Sequence, residues 1–490
     1  MKMNLSKRKL NKPGELNRIN GQRKDEMFLT LSKNFAIKGY NEESILFNLI
    51  TGEKYELDKD QVDFILLCDG NATFAELMQD YEQESKKTVF DFIKNLETIG
   101  AVECSQDSRP RVIYVNTVPE LRLQLVHLEV TSRCNMCCSH CYQGEMYPVK
   151  ENLGIEEIVP LIRAMQIMQV ENIGISGGEP FTDPKTLDIA KCAEEHDIRI
   201  SSFFTNGTLL NEELIEEILV LRSSPTFYVS VDSITPEGMI FRGVEDIAEA
   251  NKIIDRIFRN IKVLVEKGIR VVVNTVMNTC NIDSLKRMHD AMEEFKVSSW
   301  RIGYPKKTGF FKDNQEFAVD FQKALQASFG LLQYHFIKGS PFDLQIEYLY
   351  RRALLDNFKE VKDNDFVCDY ESRRESCCIK PNGDVVACAY CNQMPMGNIR
   401  KETLWDIWYS NEMQAIKNTR VKDVSECADC ELRSLCAAGC RANAYFLNGD
   451  FKNGKDNYAC KAVQFFRNDI VPLLERETNF KISNLIPGSS

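Results

Sequence analysis

No stretch of this sequence approaches the ~18 consecutive apolar residues that a membrane-crossing helix needs. The N-terminus lacks the apolar core of a secretion signal, so a cytoplasmic protein is expected. A positive excess is missing too: 61 Lys and Arg stand against 72 Asp and Glu. The resulting net charge of −11 argues against a nucleic-acid binder acting through its whole surface. No internal repeat or low-complexity tract is visible. The one basic stretch is residues 1–26, with eight Lys or Arg against three Asp or Glu. It reads as a solvated tail, or as an electrostatic landing strip for an acidic peptide.

What is present is a long chain with ordinary globular composition and an unusual number of thiols. At 490 residues, a prior of ~150 per domain suggests about three domains. Hydrophobic residues make up 43% and charged residues 27%, enough for a large core. There are 18 cysteines, too many for chance and in too long a chain for a small disulfide-stapled scaffold. In a reducing compartment, clustered cysteines point to metal or redox chemistry. Cys68, Cys104 and Cys192 lie scattered and read as small buried apolar residues. Most of the others gather around residue 138 and between residues 368 and 460.

Three kinds of pattern divide the chain. Residues 27–105 hold strand-like runs (AIKGY, SILFNLI, KYEL) followed by helical ones (DQVDFILLC, TFAELMQDYEQ, KTVFDFIKNLETIG). Thr73 and Glu76 have capping-box spacing, and the whole suggests a small winged-helix-like module. Over 106–345, six strand candidates alternate with amphipathic helical stretches: VHLEVT, NIGISG, ISSFFTN, FYVSVDS, VVVNTVMN and WRIGY. Repeated βα units predict an α/β fold, a partial (β/α)6 TIM-like barrel with functional residues at the C-terminal ends of its strands. Residues 346–470 are expected to hold a bridging helix and a turn-rich, cysteine-rich segment whose thin core needs metal, with a tail at 471–490.

The first cysteine group, Cys134, Cys138 and Cys141, lies on one short loop after the first barrel strand. Such a loop can wrap an iron–sulfur cube with three thiolates and leave the fourth iron free. A zinc site with His140 as fourth ligand is the alternative, although adjacent His140 and Cys141 strain a shared tetrahedron. Cys137 is out of register with the triplet. The pattern Cys-x3-Cys-x-aromatic-Cys, with His140 in the aromatic position, resembles the signature of the radical S-adenosylmethionine (SAM) superfamily. The resemblance implies that the free iron of a 4Fe–4S cluster binds SAM and that reductive cleavage gives a 5′-deoxyadenosyl radical, with His140 and Tyr142 beside the cofactor. Ser176-Gly177-Gly178-Glu179-Pro180, at the end of the second strand, resembles the family's Gly-Gly-Glu motif. There, glycines allow close backbone approach and Glu179 pairs with the SAM ammonium. By the same resemblance, Asn206 after the third strand and Ser230 and Asp232, which alternation puts on one face of the fourth, are expected around the SAM ribose and carboxylate, with Asn274 on the fifth as a weaker candidate. Arg301 on the sixth is another.

The C-terminal spacing is Cys368, fourteen residues, Gly383, four residues, Cys388, then Cys427-x2-Cys430-x5-Cys436-x3-Cys440, and finally Cys460. It resembles the SPASM domain of radical SAM peptide maturases, with a pair of zinc knuckles as the alternative. The resemblance implies two auxiliary 4Fe–4S clusters. One takes Cys427, Cys430, Cys436 and Cys460. The other takes Cys388, Cys440 and upstream cysteines, for which Cys368, Cys377 and Cys378 compete, with Cys391 a distant option. Cys368 and Cys378 are the expected pair. Ahead of such domains, residues 27–105 resemble a leader-peptide recognition element that binds by strand addition. The architecture resembles thioether-forming maturases of the sactipeptide and ranthipeptide kind. It implies a ribosomally made precursor peptide as partner and an electron donor such as flavodoxin or ferredoxin. Carbon–carbon cross-linking, formylglycine-type sulfatase maturation and a non-enzymatic iron–sulfur or zinc scaffold are the alternatives.

Overall fold

The structure is a computed structural model, which describes residues 18–19, 22–40, 43–144, 152–351, 361–368 and 373–478. Most of the basic tail, part of the bridging segment (352–360) and the end of the C-terminal tail (479–490) lie outside the described residues. The chain forms two compact units. One is Met1–Arg122 with the short segments Met165–Glu171 and Ala193–Arg199; the other holds the rest.

In the first unit, strands Phe35–Tyr40, Glu43–Asn48 and Lys54–Leu57 form an antiparallel meander, as the alternating runs predict. Thr117–Val118 joins it in parallel beside Phe35–Tyr40, which leaves Lys54–Leu57 at an edge. A second sheet, Asp69–Thr73, Phe28–Leu31 and Val102–Ser105, has no clear sequence signal. Helices Lys59–Leu67 and Gln83–Thr98 cover an apolar core containing Leu29, Phe64, Ile65, Ile93 and Leu96. The Thr73 capping box is present, yet its helix is only Phe74–Leu77, shorter than the periodicity suggests. Lys38 is buried in this unit, and its Nζ donates to the carbonyls of Val170 (3.0 Å) and Asp197 (2.9 Å).

The second unit is built on an eleven-stranded sheet. Its strands are β1 (Leu125–Glu129), β2 (Asn172–Ser176), β3 (Arg199–Thr205), β4 (Thr226–Ser230), β5 (Val271–Val276), β6 (Ser299–Gly303), β7 (Asp343–Ile346), β8 (Tyr350–Arg351), β9 (Ser376–Ile379), β10 (Asp384–Val386) and β11 (Pro395–Asn398). All six expected barrel strands form, in sequential order. β7 extends the parallel run beside β6. On the far side β9 pairs in parallel with β1, so one sheet continues into the cysteine-rich segment.

Each barrel strand has two faces of different character. Ile173, Ile175, Phe203, Phe227, Val229, Val271, Val273, Trp300 and Ile302 are almost wholly buried. Burying each such side chain contributes roughly 1.5–3 kcal/mol. The other face carries His127, Ser202, Tyr228, Ser230, Asn274, Arg301 and Gln345, brought together by register: His127 faces Gly174, Ser230 faces Asn274, Asn274 faces Arg301 and Arg301 faces Gln345. Period-two alternation thus gives an apolar outside under helices and a polar barrel lumen.

Candidate functional site

The cysteine loop leaves β1 and is held from three sides by backbone. On one side, Gly178 N donates to Thr131 O (2.7 Å) and Glu179 N to Arg133 O (2.8 Å). A Cβ on Gly178 would stand 2.4 Å from Arg133 O, so this glycine serves the approach of two protein loops. On another, Gly243 (φ +76°) lies against the Cys137 carbonyl. On the third, Gly309 (φ +55°) lies against the Cys141 carbonyl, which also accepts from Phe310 N at 3.0 Å. Neither Gly243 nor Gly309 is marked by a sequence motif.

Cys134, Cys138 and Cys141 point toward one another closely enough for each charge to be felt by the others. Cys137 faces solvent instead. Burial pushes the Cys138 thiol up to about 11 and the Cys141 thiol up to about 12, so an assembled centre must offset the expense of deprotonating them. Backbone N–H groups already aim at the sulfurs: Met136 at Cys134 and Gln143 at Cys141.

Glu179 is fully buried. Its carboxylate accepts from Thr205 Oγ1 (2.7 Å) and Asn206 N (2.6 Å). Desolvation nevertheless raises it to about 7. A carboxylate held in this way is a receptor for a cationic group. Asn206 is engaged elsewhere: its Nδ2 donates to Asn135 Oδ1 (2.8 Å) and its Oδ1 accepts from Thr208 N (2.9 Å) and Oγ1 (2.6 Å). It ties the end of β3 to the cysteine loop, with Asn135 and Thr208 as partners that the sequence reading missed.

Ser230 and Asp232 do not behave as a pair. Asp232 is buried and accepts from Arg242 Nη1 (2.9 Å) and Val276 N (2.8 Å), with His140 Nε2 at 3.5 Å. His140 stacks on Phe241 at 4.2 Å, and burial lowers its pKa despite the neighbouring carboxylate. Among the described residues, neither the Ser230 hydroxyl nor the Asn274 amide has a hydrogen-bond partner, so both are available to a ligand in the lumen. Tyr142 donates to Glu129 Oε1 (3.0 Å), which also accepts from Lys380 Nζ (2.8 Å) and the Cys378 thiol (3.4 Å).

In the C-terminal segment Cys427, Cys430, Cys436 and Cys460 are mutual neighbours. Ala437, Ala438 and Gly439 all adopt positive φ, and this turn wraps the chain between Cys436 and Cys440. The surrounding apolar cluster is small, limited among buried residues to Val367, Val421, Val424, Cys427 and Ala438. Cys368, Cys388 and Cys440 form a second group, with Arg441 N–H aimed at Cys368 and Tyr390 N–H at Cys388. Cys377 and Cys378 are in β9 on opposite faces of the sheet. The Cys378 thiol donates to Glu129 Oε1 at 3.4 Å, with the Lys380 ammonium near both Cys378 and Cys388.

These donor sets fit iron–sulfur clusters better than single zinc ions. A tetrahedral zinc needs sulfurs about 3.8 Å apart. Among the described residues, the only group of three or more ligand atoms within 4.8 Å of one another is His289, Asp290 and Glu293, whose carboxylates already pair with Lys338. Sulfurs more widely spaced, with peptide N–H groups aimed at them, suit a polynuclear cluster.

Comparison with known proteins agrees. Residues 128–292 match the radical SAM superfamily, and residues 368–431 match the SPASM iron–sulfur cluster-binding domain. The AdoMet-dependent heme synthase of Methanosarcina barkeri is 25% identical over 349 residues, covering 67% of this chain and 94% of that protein. The antilisterial bacteriocin subtilosin biosynthesis protein AlbA of Bacillus subtilis is 21% identical over 416 residues, covering 78% and 86%. Among solved structures, Streptococcus suis SuiB bound to precursor peptide SuiA superimposes with a TM-score of 0.61 at 17% identity, covering 88% of this chain and 99% of that one. The chain carries a radical SAM domain followed by a SPASM domain. It is an enzyme that works with 4Fe–4S clusters and S-adenosylmethionine. Among the described residues, no helix is long and apolar enough to cross a membrane.

Proposed function

We propose that this enzyme modifies a ribosomally made precursor peptide, joining a cysteine sulfur to a carbon as a thioether. In this reading Cys134, Cys138 and Cys141 hold the SAM-binding cluster. Glu179 receives the SAM ammonium, with Gly177 and Gly178 shaping its loop. Ser230 and Asn274 face the remaining polar groups of SAM, while Asp232 and Arg242 set the position of His140. Cys427, Cys430, Cys436 and Cys460 hold one auxiliary cluster, and Cys368, Cys388 and Cys440 belong to the other. When bound, the SAM-loaded cluster would supply a 5′-deoxyadenosyl radical to take one hydrogen atom from the peptide carbon, with the thiol proton leaving to solvent and the second electron going to an auxiliary cluster; the chain's own part is to orient substrate in the lumen and exclude water.

The observation that carries the peptide reading is the first unit, a compact body whose meander, among the described residues, ends in the edge strand Lys54–Leu57. A leader peptide would add to such an edge through main-chain hydrogen bonds. Residues 27–105 are then the recognition element, with flavodoxin or ferredoxin as electron source. A second reading, a small carboxylate-bearing substrate, draws on Arg301. Its guanidinium faces the lumen 5.5 Å from the Tyr228 ring and has no ion-pair partner among the described residues. Co-expression with a short cysteine-bearing open reading frame beside this gene, followed by mass analysis, tests the proposal. Loss of two hydrogens from the peptide core, with the cysteine no longer alkylatable, is expected. An unmodified peptide alongside turnover of a small acid would overturn the proposal.

A further inference from the structure

We infer that Cys391 completes the ligand set of the auxiliary centre that also contains Cys368, Cys388 and Cys440, so that this centre has four protein thiolates and no open iron. The inference rests on the proposed auxiliary clusters and decides the coordination of one of them.

The first argument is the shape of the loop. Cys141 N donates to Cys138 O at 3.1 Å, and Cys430 N to Cys427 O at 3.2 Å, each closing a Cys-x2-Cys turn in a cluster loop. Cys388-Ala389-Tyr390-Cys391 is closed in the same way, Cys391 N donating to Cys388 O at 2.9 Å. Such a turn puts two thiols on one side of the chain, a spacing that recurs in iron–sulfur loops. The second argument is direction. Cys391 is 2% exposed, its thiol partners that of Cys388, and it lies near Cys440, itself a neighbour of Cys368 and Cys388. The third is the state of its competitors. Cys378 is committed to Glu129, and Cys377 occupies the opposite face of β9. Ligation by Cys391 forms an Fe–S bond and releases the thiol proton to solvent, with no change of oxidation state. A substrate sulfur therefore has no iron to bind at this centre.

Full-length protein, reconstituted anaerobically, would be compared as wild type, Cys391→Ala, Cys391→Ser and Cys378→Ala. The measurements are iron and sulfide content and the EPR spectrum of the dithionite-reduced protein with saturating SAM, which occupies the radical cluster. The probe for an open iron is ¹³C-labelled cyanide. Wild type should hold on the order of twelve irons, four per cubane, and show no ¹³C coupling. Cys378→Ala should match it. Cys391→Ala or Cys391→Ser should either show ¹³C coupling or lose the signal of one cluster. Should both Cys391 variants be insoluble, wild type and Cys378→Ala decide the matter by themselves. Coupling of cyanide to SAM-saturated wild type, unchanged spectra in the Cys391 variants, or loss of a cluster in Cys378→Ala would each overturn the inference. Wild type with only about four irons would instead refute the auxiliary clusters themselves.

Discussion

Glu179 is the residue whose environment makes the clearest demand. It is buried, accepts hydrogen bonds from Thr205 and Asn206, and still titrates near 7 because desolvation outweighs them. A bound ammonium stabilises the carboxylate, so the pKa is lower in the complex than in the free enzyme. SAM affinity should therefore rise with pH up to about 7 and then level off. Glu179→Gln should weaken SAM binding by roughly 1.5–3 kcal/mol, the range for hydrogen bonds to charged groups. It should also flatten that pH profile. Equilibrium SAM binding between pH 6 and 8 checks both; an unchanged profile in the variant would assign the titration to another group. Asp232 makes a different prediction. With Arg242 it forms a buried ion pair at 2.9 Å, and removing one partner of such a pair typically costs ~3–5 kcal/mol. Arg242→Met should lower stability by that order in denaturant unfolding. Asp232→Asn with Arg242→Met should recover part of the loss, which separates an orphaned charge from a missing contact.

At the scale of elements, loops meeting backbone to backbone are what hold the cysteine triplet. Gly243 combines a φ of +76° with a Cβ position 2.3 Å from the Cys137 carbonyl. Gly243→Ala should push the loop away from Phe241 and reduce cluster loading at Cys134, Cys138 and Cys141. The auxiliary cysteines, on other elements, should be spared. Iron content should fall by at most about four per chain, one cubane, with the circular dichroism of the fold retained. Loss of all iron, or none, would show that the loop is not set by this contact. The strands carry the complementary lesson. Trp300 and Arg301 are neighbours in β6, yet one is packed beneath helices and the other faces the lumen, because the side-chain period is two. That alternation was legible in the runs VVVNTVMN and WRIGY. The second small sheet of the first unit was not: Asp69–Thr73 (Asp-Gly-Asn-Ala-Thr) reads as a turn and becomes a strand only because Phe28–Leu31 pairs with it.

For the whole molecule, the continuous sheet from β8 to β11 has consequences. β9 pairs with β1, so the segment bearing Cys377 and Cys378 is a strand of the same sheet that launches the loop of Cys134, Cys138 and Cys141. Unfolding of the cysteine-rich segment should thus be coupled to the barrel. Chelation of iron should lower the midpoint of both by the same shift, in a single transition followed by tryptophan fluorescence and circular dichroism. Two separate transitions would contradict this. The first unit leads to an expectation about the peptide. If recognition is by strand addition, a precursor lacking its leader should bind more than tenfold more weakly, while substrate-free SAM cleavage stays the same. Isothermal titration with full and truncated peptides measures the difference.

The sequence by itself determined the cofactor class and the repeated architecture. Cysteine spacing, Gly-Gly-Glu after a strand and six βα units are local patterns. Each follows from reach along a short stretch of chain: how far a loop can wrap, which face a residue takes, where a helix can start. Only the tertiary structure decided which thiols keep company. Cys377, Cys378 and Cys391 are equivalent as letters. In the fold, β9 turns the first two to opposite faces and gives Cys378 to Glu129, while a tight turn brings Cys391 beside Cys388. The tertiary structure likewise decided that Asp232 is neutralised by Arg242 and that Asn206 braces the cysteine loop. These partners come from segments far apart in the chain or on separate loops, and a polar group in a low-dielectric interior takes its role from whatever partner the packing supplies.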